Sequence, residues 1–282
     1  MEGAIALGLF LVVILVALWY MTWPKVCIVS LVKDPHQFQT WIDHHKTISK
    51  FYIFMDDDSE EFGVTDPRVI LIRNWKDRLG FKWNNEKDEP ANRNEKQRLA
   101  FDEGSRMAQQ DGIRYIVHID SDELLYGPAS PAEVFSRYPD SHAFHFKNEE
   151  LAPDREDYHN CFKEGTKFHG DPRRFTAYGN GKSAGVAGMC TWFGPHFVKG
   201  QNAKEIPPEE LRVLHYPSCN LQETIKRAKQ YGKFQDQSAG WSEHHKETRD
   251  ALVDCEDTVC ELKAREQFKK RMAGPDAQTF LI

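Results

Sequence analysis

The segment Tyr115-Ile-Val-His-Ile119 runs directly into Asp120-Ser121-Asp122-Glu123 and then Leu124-Leu125-Tyr126. YIVHI is β-branched and aromatic apart from His118, so it reads as a buried strand whose end is marked by acids. Upstream, Lys25–Val32 (KVCIVSLV) is a second run of the same kind, broken by Asp34-Pro35. Phe38, Trp41, Ile42 and His45 then recur at i, i+3, i+4 and i+7, one face of a helix. Ser49–Met55 (SKFYIFM) is another strand and ends in Asp56-Asp57-Asp58-Ser59-Glu60-Glu61; Val69–Ile72 (VILI) is a short one. Asn94–Gln110 has helical composition, with Leu99 and Met107 on one face. Strand, helix, strand, strand, helix, strand in this space predicts an α/β fold with a mostly parallel, Rossmann-like sheet flanked by helices. Ligands of such sheets bind outside the carboxyl ends of the strands, where both acidic clusters fall.

Downstream, Ala143–Lys147 (AFHFK) and Arg212–Tyr216 (RVLHY) read as strands, and residues 148–190 as long functional loops rich in Gly, Asp, His and Arg. Asn220 caps a helix over 220–231, with Glu223 at the third position. From Trp241 on, the chain is charged and helical in pattern and is expected to pack outside the core. No linker divides residues 25–282, so the expected organisation is one domain with a core over 25–232 and a helical extension over 233–282.

The first 24 residues differ from the rest. From Ala4 to Trp23 no charged residue occurs, and 20 residues of helix span roughly 30 Å, the thickness of a bilayer's hydrocarbon core. Bulky Tyr20-Met21-Thr22-Trp23-Pro24 offers no small-x-small cleavage site, so the expectation is an uncleaved single-pass anchor over 1–24 rather than a signal peptide. Lys25 and Lys33 on the body side favour a cytoplasmic body by the positive-inside rule, while the absence of any Asn-x-Ser/Thr disfavours a glycosylated one. A net charge of −6 argues against nucleic-acid binding, and 28% charged residues with 12% aromatics argue against disorder. The six cysteines include no zinc-like pair spacing and leave the compartment open; Cys27 reads as a buried thiol.

Chemistry concentrates at Asp120-Ser121-Asp122. Two carboxylates spaced i, i+2 beyond a buried strand can turn toward one hard cation, and Mg²⁺ or Mn²⁺ would keep open positions for phosphate oxygens. The bland reading is a solvated turn or helix cap. The surrounding pattern is more specific: VSLVKDPHQFQTWIDHHKTISKFYIFMDDDSEE, Trp75, Gln97, YIVHIDSDELLY, then Gly181-Lys182-Ser183, Gly194-Pro195-His196 and Leu214-His215-Tyr216, in this order. Over residues 25–232 this resembles the glycosyltransferase family 2-like and family 92 group of nucleotide-sugar enzymes, which adopt the GT-A fold. Asp34 stands where that group commonly has Glu, and Asp57 where Asn is usual.

The resemblance implies roles. Asp120 and Asp122 would hold the metal (Mn²⁺ or Mg²⁺) against the donor diphosphate, His215 would complete the metal site, and Asp56 would lie near the nucleoside. Lys182 would contact phosphate or acceptor. The implied donor is a UDP-sugar, the acceptor a glycan or glycoconjugate hydroxyl, and the outcome inversion. Expelling a nucleoside diphosphate also asks for a cation such as Lys182 or Arg174. Deprotonating the acceptor asks for a carboxylate base, for which Glu149 or Glu150 after AFHFK stands ahead of Asp154 and Asp171. The Walker spacing fails at Thr176, which excludes a P-loop ATPase. His45 reads as a packed helix histidine, His118 as a core histidine, His196 as a site candidate, and His244-His245 as a charged-tail pair. Two rivals stand beside transfer of a sugar: a metal-dependent nucleotidyltransferase, and an anchored glycan-binding or scaffold protein without turnover.

Overall fold

The structure, a computed structural model, describes residues 23–33, 37–58, 61–86, 89–175, 177–217, 219–231, 250–252, 257–272, 274 and 276–282. Among these, no helix is long and apolar enough to cross a membrane. The expected anchor lies almost wholly outside the described residues, as do Asp34, Cys255 and the pair His244-His245.

A seven-stranded sheet forms the centre. It uses β1 (Val26–Val32), β2 (Lys50–Met55), β3 (Val69–Ile72), β4 (Tyr115–His118), β6 (Ala143–Phe146), β9 (Lys182–Val186) and β12 (Lys204–Ile206), in the order β12-β6-β9-β4-β1-β2-β3. β3, β2, β1 and β4 run parallel, and β12 is parallel to β6; β9 is antiparallel to both β4 and β6. The sheet is thus mixed and parallel-rich, compatible with a Rossmann-like fold. Both faces are buried at its centre, which is why β1, β2 and β4 are continuous apolar runs.

On one face lies α1 (Phe38–His44), whose Phe38, Trp41 and Ile42 are buried as the helical spacing requires. On the other lies α3 (Glu89–Gln110), which begins before the residues that periodicity marks as helical. It fits closely because Gly104 has no side chain: a Cβ there would stand 2.5 Å from Val29 Cγ2. Between β3 and α3, the single turn α2 (Trp75–Arg78) buries Trp75, whose Nε1 donates to the Met55 carbonyl at 2.7 Å.

A second sheet was not legible in the sequence. It consists of β5 (Glu123–Tyr126), β7 (Asn148–Leu151), β8 (Lys167–His169), β13 (Arg212–His215) and β14 (Gln278–Thr279), in the order β14-β8-β7-β13-β5. The expected loop region 148–190 therefore holds three strands, β7, β8 and β9, an α-helical turn, α5 (Cys161–Glu164), and a 3-10 turn, Pro172–Arg174. The chain steps from the first sheet to the second three times, across residues 119–122, across Lys147 and across residues 207–211. A short α4 (Pro131–Ser136) with a Ser130–Glu133 capping box follows β5.

The hairpin of β10 (Thr191–Gly194) and β11 (Phe197–Lys199) stands beside β6 and β9. Asn220 caps α6 (Leu221–Tyr231) as expected, its side chain accepting from the Glu223 N–H at 2.8 Å. α7 (Asp257–Arg271) packs on α6 through a small cluster that includes Leu221, Cys260, Ala264 and Phe268. The C-terminal strand β14 then returns to pair with β8. Cys161 and Cys219 form a disulfide, Cys260 is also disulfide-bonded, and Cys27 and Cys190 are buried free thiols.

Candidate active site

The seam between the two sheets gathers six ionisable side chains. β4 ends in the first sheet and β5 begins in the second, so Asp120 and Asp122 sit on the crossing itself. Phe146 pairs with Lys182, placing the first residue of β9 at the second crossing. Gly181 makes that approach possible: its φ is +73°, and a Cβ there would stand 2.2 Å from the Phe146 carbonyl oxygen. In the second sheet His215 is flanked by Glu123 and Glu150, its register partners on β5 and β7.

Helix α1 holds the start of β5 in place. Trp41 Nε1 donates to the Glu123 carbonyl at 2.6 Å, and His44 Nε2 donates to the Leu125 carbonyl at 2.8 Å. His45 donates from Nδ1 to the Trp41 carbonyl at 2.8 Å and accepts the Leu125 N–H on Nε2 at 3.0 Å. These two bonds require a neutral imidazole, and burial holds the His45 pKa well below its usual value. His45 is therefore a packing histidine that supports the site without entering it.

Lys182 is the cationic centre. Its ammonium lies 2.5 Å from Asp120 Oδ2, 3.3 Å from Glu123 Oε1 and 3.1 Å from the Pro195 carbonyl. Burial opposes its charge, yet Asp120 and Glu123 more than offset this and raise its pKa. Asp120 also accepts from Gln97 Nε2 at 3.1 Å. Burial works to raise its pKa, but Lys182 prevails and the carboxyl is held low. Glu123 has no exposed surface; Oε2 accepts the Asp120 N–H at 2.8 Å and Oε1 accepts the Tyr178 hydroxyl. Burial lifts its carboxyl to about 7 against the pull of Lys182.

His215 forms the other half. Its Nε2 lies 3.7 Å from Asp122 Oδ2 and its Nδ1 3.5 Å from Glu150 Oε2, close enough for charge pairing. Burial disfavours its protonation, but these two carboxylates outweigh it and lift the pKa to about 10. Nδ1 makes no hydrogen bond of good geometry. Ligand atoms of Asp122, Glu123 and His215 all lie within 4.8 Å of one another. Four carboxylates (Asp120 and Asp122 partly exposed, Glu123 and Glu150 buried) thus face two cations (Lys182, His215) at the seam, an excess of negative charge that favours a divalent cation.

The candidate site residues read from the sequence can be placed where they are described. Asp120, Asp122, Lys182, His215 and Glu150 converge on the seam. Glu149 points from the opposite face of β7 and pairs with Arg212, while burial raises its pKa. Asp56 lies at the end of β2, with both oxygens 2.7 Å from Lys96 Nζ and Lys76 Nζ 3.2 Å from Oδ1. Lys96 and Gln97 are neighbours on α3, so this helix links Asp56 to Asp120. His196 occupies the hairpin apex, donating from Nδ1 to the Gly181 carbonyl at 3.0 Å. Arg174 is spoken for by Asp276, Asp171 by Arg173 and Asp154 by Tyr158. His118 donates from Nδ1 to the Val29 carbonyl at 3.3 Å, in the core. Sequence reasoning missed Glu123 and Tyr178. Glu123 was visible only as the residue after the D-x-D, and Tyr178 carried no local signal.

No family model matches the chain. Two proteins of Arabidopsis thaliana named glycosyltransferase-like are similar to it. One is 28% identical over 263 residues, covering 74% of this chain and 50% of the relative. The other is 27% identical over 270 residues, covering 74% and 57%. The chain therefore spans little more than half the length of these relatives. The similarity supports a glycosyltransferase relationship.

Proposed function

We propose that the chain is a metal-dependent glycosyltransferase of GT-A-like fold, a relative of the family 2-like and family 92 group. It moves a sugar from a nucleotide diphosphate donor, a UDP-sugar, to a hydroxyl of a glycan or glycoconjugate, with inversion. One observation carries this reading: Asp122, Glu123 and His215 bring their ligand atoms within 4.8 Å of one another beyond the carboxyl end of β4, next to buried Lys182. Hard carboxylate oxygens and one imidazole suit Mn²⁺ or Mg²⁺, and the excess of negative charge asks for such an ion. Asp122, Glu123 and the deprotonated imidazole of His215 would hold it. The ion would supply charge neutralisation for the departing diphosphate.

The chain's own groups do the rest. Lys182 offers a preorganised positive charge next to where the leaving group gains its electron pair. Glu150 takes the proton of the acceptor hydroxyl as that oxygen bonds to the anomeric carbon and the bond to phosphate breaks. It faces His215 in the seam, whereas Glu149 is turned away, so Glu150 is the better base of the two expected. Asp56, carried by the lysines of α2 and α3, lies where the nucleoside would sit. Residues 1–24 are proposed as a single-pass anchor. The Cys161–Cys219 disulfide supports a body on the oxidising side of that membrane, against the lysine asymmetry.

The test uses the full chain in detergent micelles, stripped of metal. Titration calorimetry with UDP, GDP and CDP, with and without Mn²⁺, should show metal-dependent binding of UDP, weakened at least ~tenfold in Asp122→Asn. A folded protein that binds none of the three in either condition would refute the proposal. Pyrophosphate release from a nucleoside triphosphate would move it to nucleotidyl transfer.

A further inference from the structure

Beside the seam, two large apolar side chains are exposed on one hairpin: Phe193 at 58% and Phe197 at 36%. Phe193 and Phe197 belong to the β10–β11 hairpin, and its apex is tied to the site described above. The Pro195 carbonyl accepts from Lys182 at 3.1 Å, and the His196 ring stands 4.3 Å from that of Tyr178. Each phenylalanine is two residues from Pro195 along the chain, so its Cα is within about 7 Å of the residue that touches Lys182.

Both rings are held from one side and open on the other. The Lys199 ammonium sits 3.1 Å from the Phe193 centroid, a cation–π contact that fixes that ring. Phe197 lies 5.4 Å from the His145 ring, whose buried Nδ1 has no hydrogen-bond partner. Exposed aromatic faces on a hairpin joined to a seam read as handling sugars match one chemistry: a pyranose, which has an apolar face of C–H groups. A bilayer matches it less well, because inserting Phe193 would carry the Lys199 ammonium toward hydrocarbon.

We propose that Phe193 and Phe197 form the platform on which a sugar ring of the acceptor glycan stacks, making this hairpin the part of the protein that selects its acceptor. The proposal rests on the glycosyl-transfer reading of the neighbouring seam. Its test separates the two. The full chain in micelles is applied to a printed array of defined oligosaccharides, beside the variants Phe193→Ala/Phe197→Ala and Phe193→Tyr/Phe197→Tyr. The parent should bind a subset of glycans, the alanine pair should lose at least ~tenfold in apparent affinity, and the tyrosine pair should retain binding. Affinity for UDP with Mn²⁺, measured in parallel, should stay within about twofold in all three, which also reports that each is folded.

Nucleotide binding without binding to any glycan overturns the platform and leaves the donor site standing. Glycan binding that the alanine pair abolishes, without nucleotide binding in the parent, keeps the platform and removes the transferase. Glycan binding unchanged in the alanine pair overturns the platform. In vesicles of brominated phosphatidylcholine, Phe193→Trp should show no quenching beyond that of the parent protein; extra quenching would place the ring in lipid and overturn the proposal.

Discussion

Replacing Lys182 with methionine keeps most of the apolar stem and removes the charged amino group with its hydrogen bonds. The ammonium is completely buried, 2.5 Å from Asp120 and 3.3 Å from Glu123, itself fully buried. Breaking a buried ion pair by removing one partner costs about 3–5 kcal/mol, because the other charge remains uncompensated. Glu123 moderates this. Its carboxyl already sits at about 7, so without Lys182 it stays protonated at neutral pH and escapes part of the penalty. The expected loss in Lys182→Met is therefore near the lower end, about 3 kcal/mol, or roughly 6–12 °C in melting temperature. The sign of its pH dependence follows. Carboxyls whose folded pKa is raised destabilise the native state above their unfolded values and cost nothing once protonated in both states. The gap between parent and variant should widen at pH 8.5 and narrow at pH 5.5. The double variant Lys182→Met/Glu123→Gln should recover part of the loss at pH 8.5. Differential scanning calorimetry of the metal-free proteins reads all of this. A variant that melts within 2 °C of the parent, or a gap that grows on acidification, would refute the charge assignment.

Three further outcomes are expected. The Cys161–Cys219 bridge closes a loop with a sequence separation of 58, for which chain entropy gives about 4 kcal/mol; Cys161→Ser/Cys219→Ser should melt roughly 8–16 °C lower. Gly104→Ala gains about 1 kcal/mol of helix propensity, but its Cβ would stand 2.5 Å from Val29 Cγ2. Overpacking of about 1–3 kcal/mol should win, so the urea midpoint falls; a rise would mean that α3 can lift off β1 freely. Hydrogen bonds from Arg106 and Arg78 hold the Glu103 carboxyl down at about 2. Its contribution is present above pH ~4.5 and lost as pH falls toward 2, so Glu103→Gln should be the less stable protein at pH 5 and converge with the parent by about pH 2.

Most of the strands visible in the sequence are unbroken apolar runs. β1, β2, β4, β6 and β13 are apolar runs because both sides of each face packed side chains, and α1 shows its buried face in the spacing of Phe38, Trp41 and Ile42. The strands that escaped notice lack that signal. Asn148-Glu-Glu-Leu and Lys167-Phe-His are polar or short, and they form strands because β13 and β14 supply partners far away in sequence. The antiparallel β9 was hidden for a related reason. Lys182-Ser-Ala-Gly-Val is small and polar because α3, the hairpin and two flanking strands leave little room at its place. Length and composition cannot report such pairings, since they are decided by what lies across the sheet.

The same reasoning explains why the D-x-D spacing pointed to Asp120 and Asp122, while the compact cluster is Asp122, Glu123 and His215. Adjacent residues in a strand point to opposite faces, so Asp122 and Glu123 would not be expected to cooperate. They do because β5 starts only at Glu123, and residues 119–122 bridge two sheets instead of continuing one strand. That bridge exists because Trp41, His44 and His45 draw β5 away from the line of β4. The Trp-x-x-His pattern of α1, legible only as an amphipathic face, is thus what turns a pair of strand-end aspartates into a charge cluster. A Trp41→Phe change, which keeps the packing and deletes the bond to the Glu123 carbonyl, reaches the site through this one contact. It should weaken Mn²⁺-dependent nucleotide binding more than it lowers the melting temperature would suggest. Equal effects on both would mean that α1 only fills space.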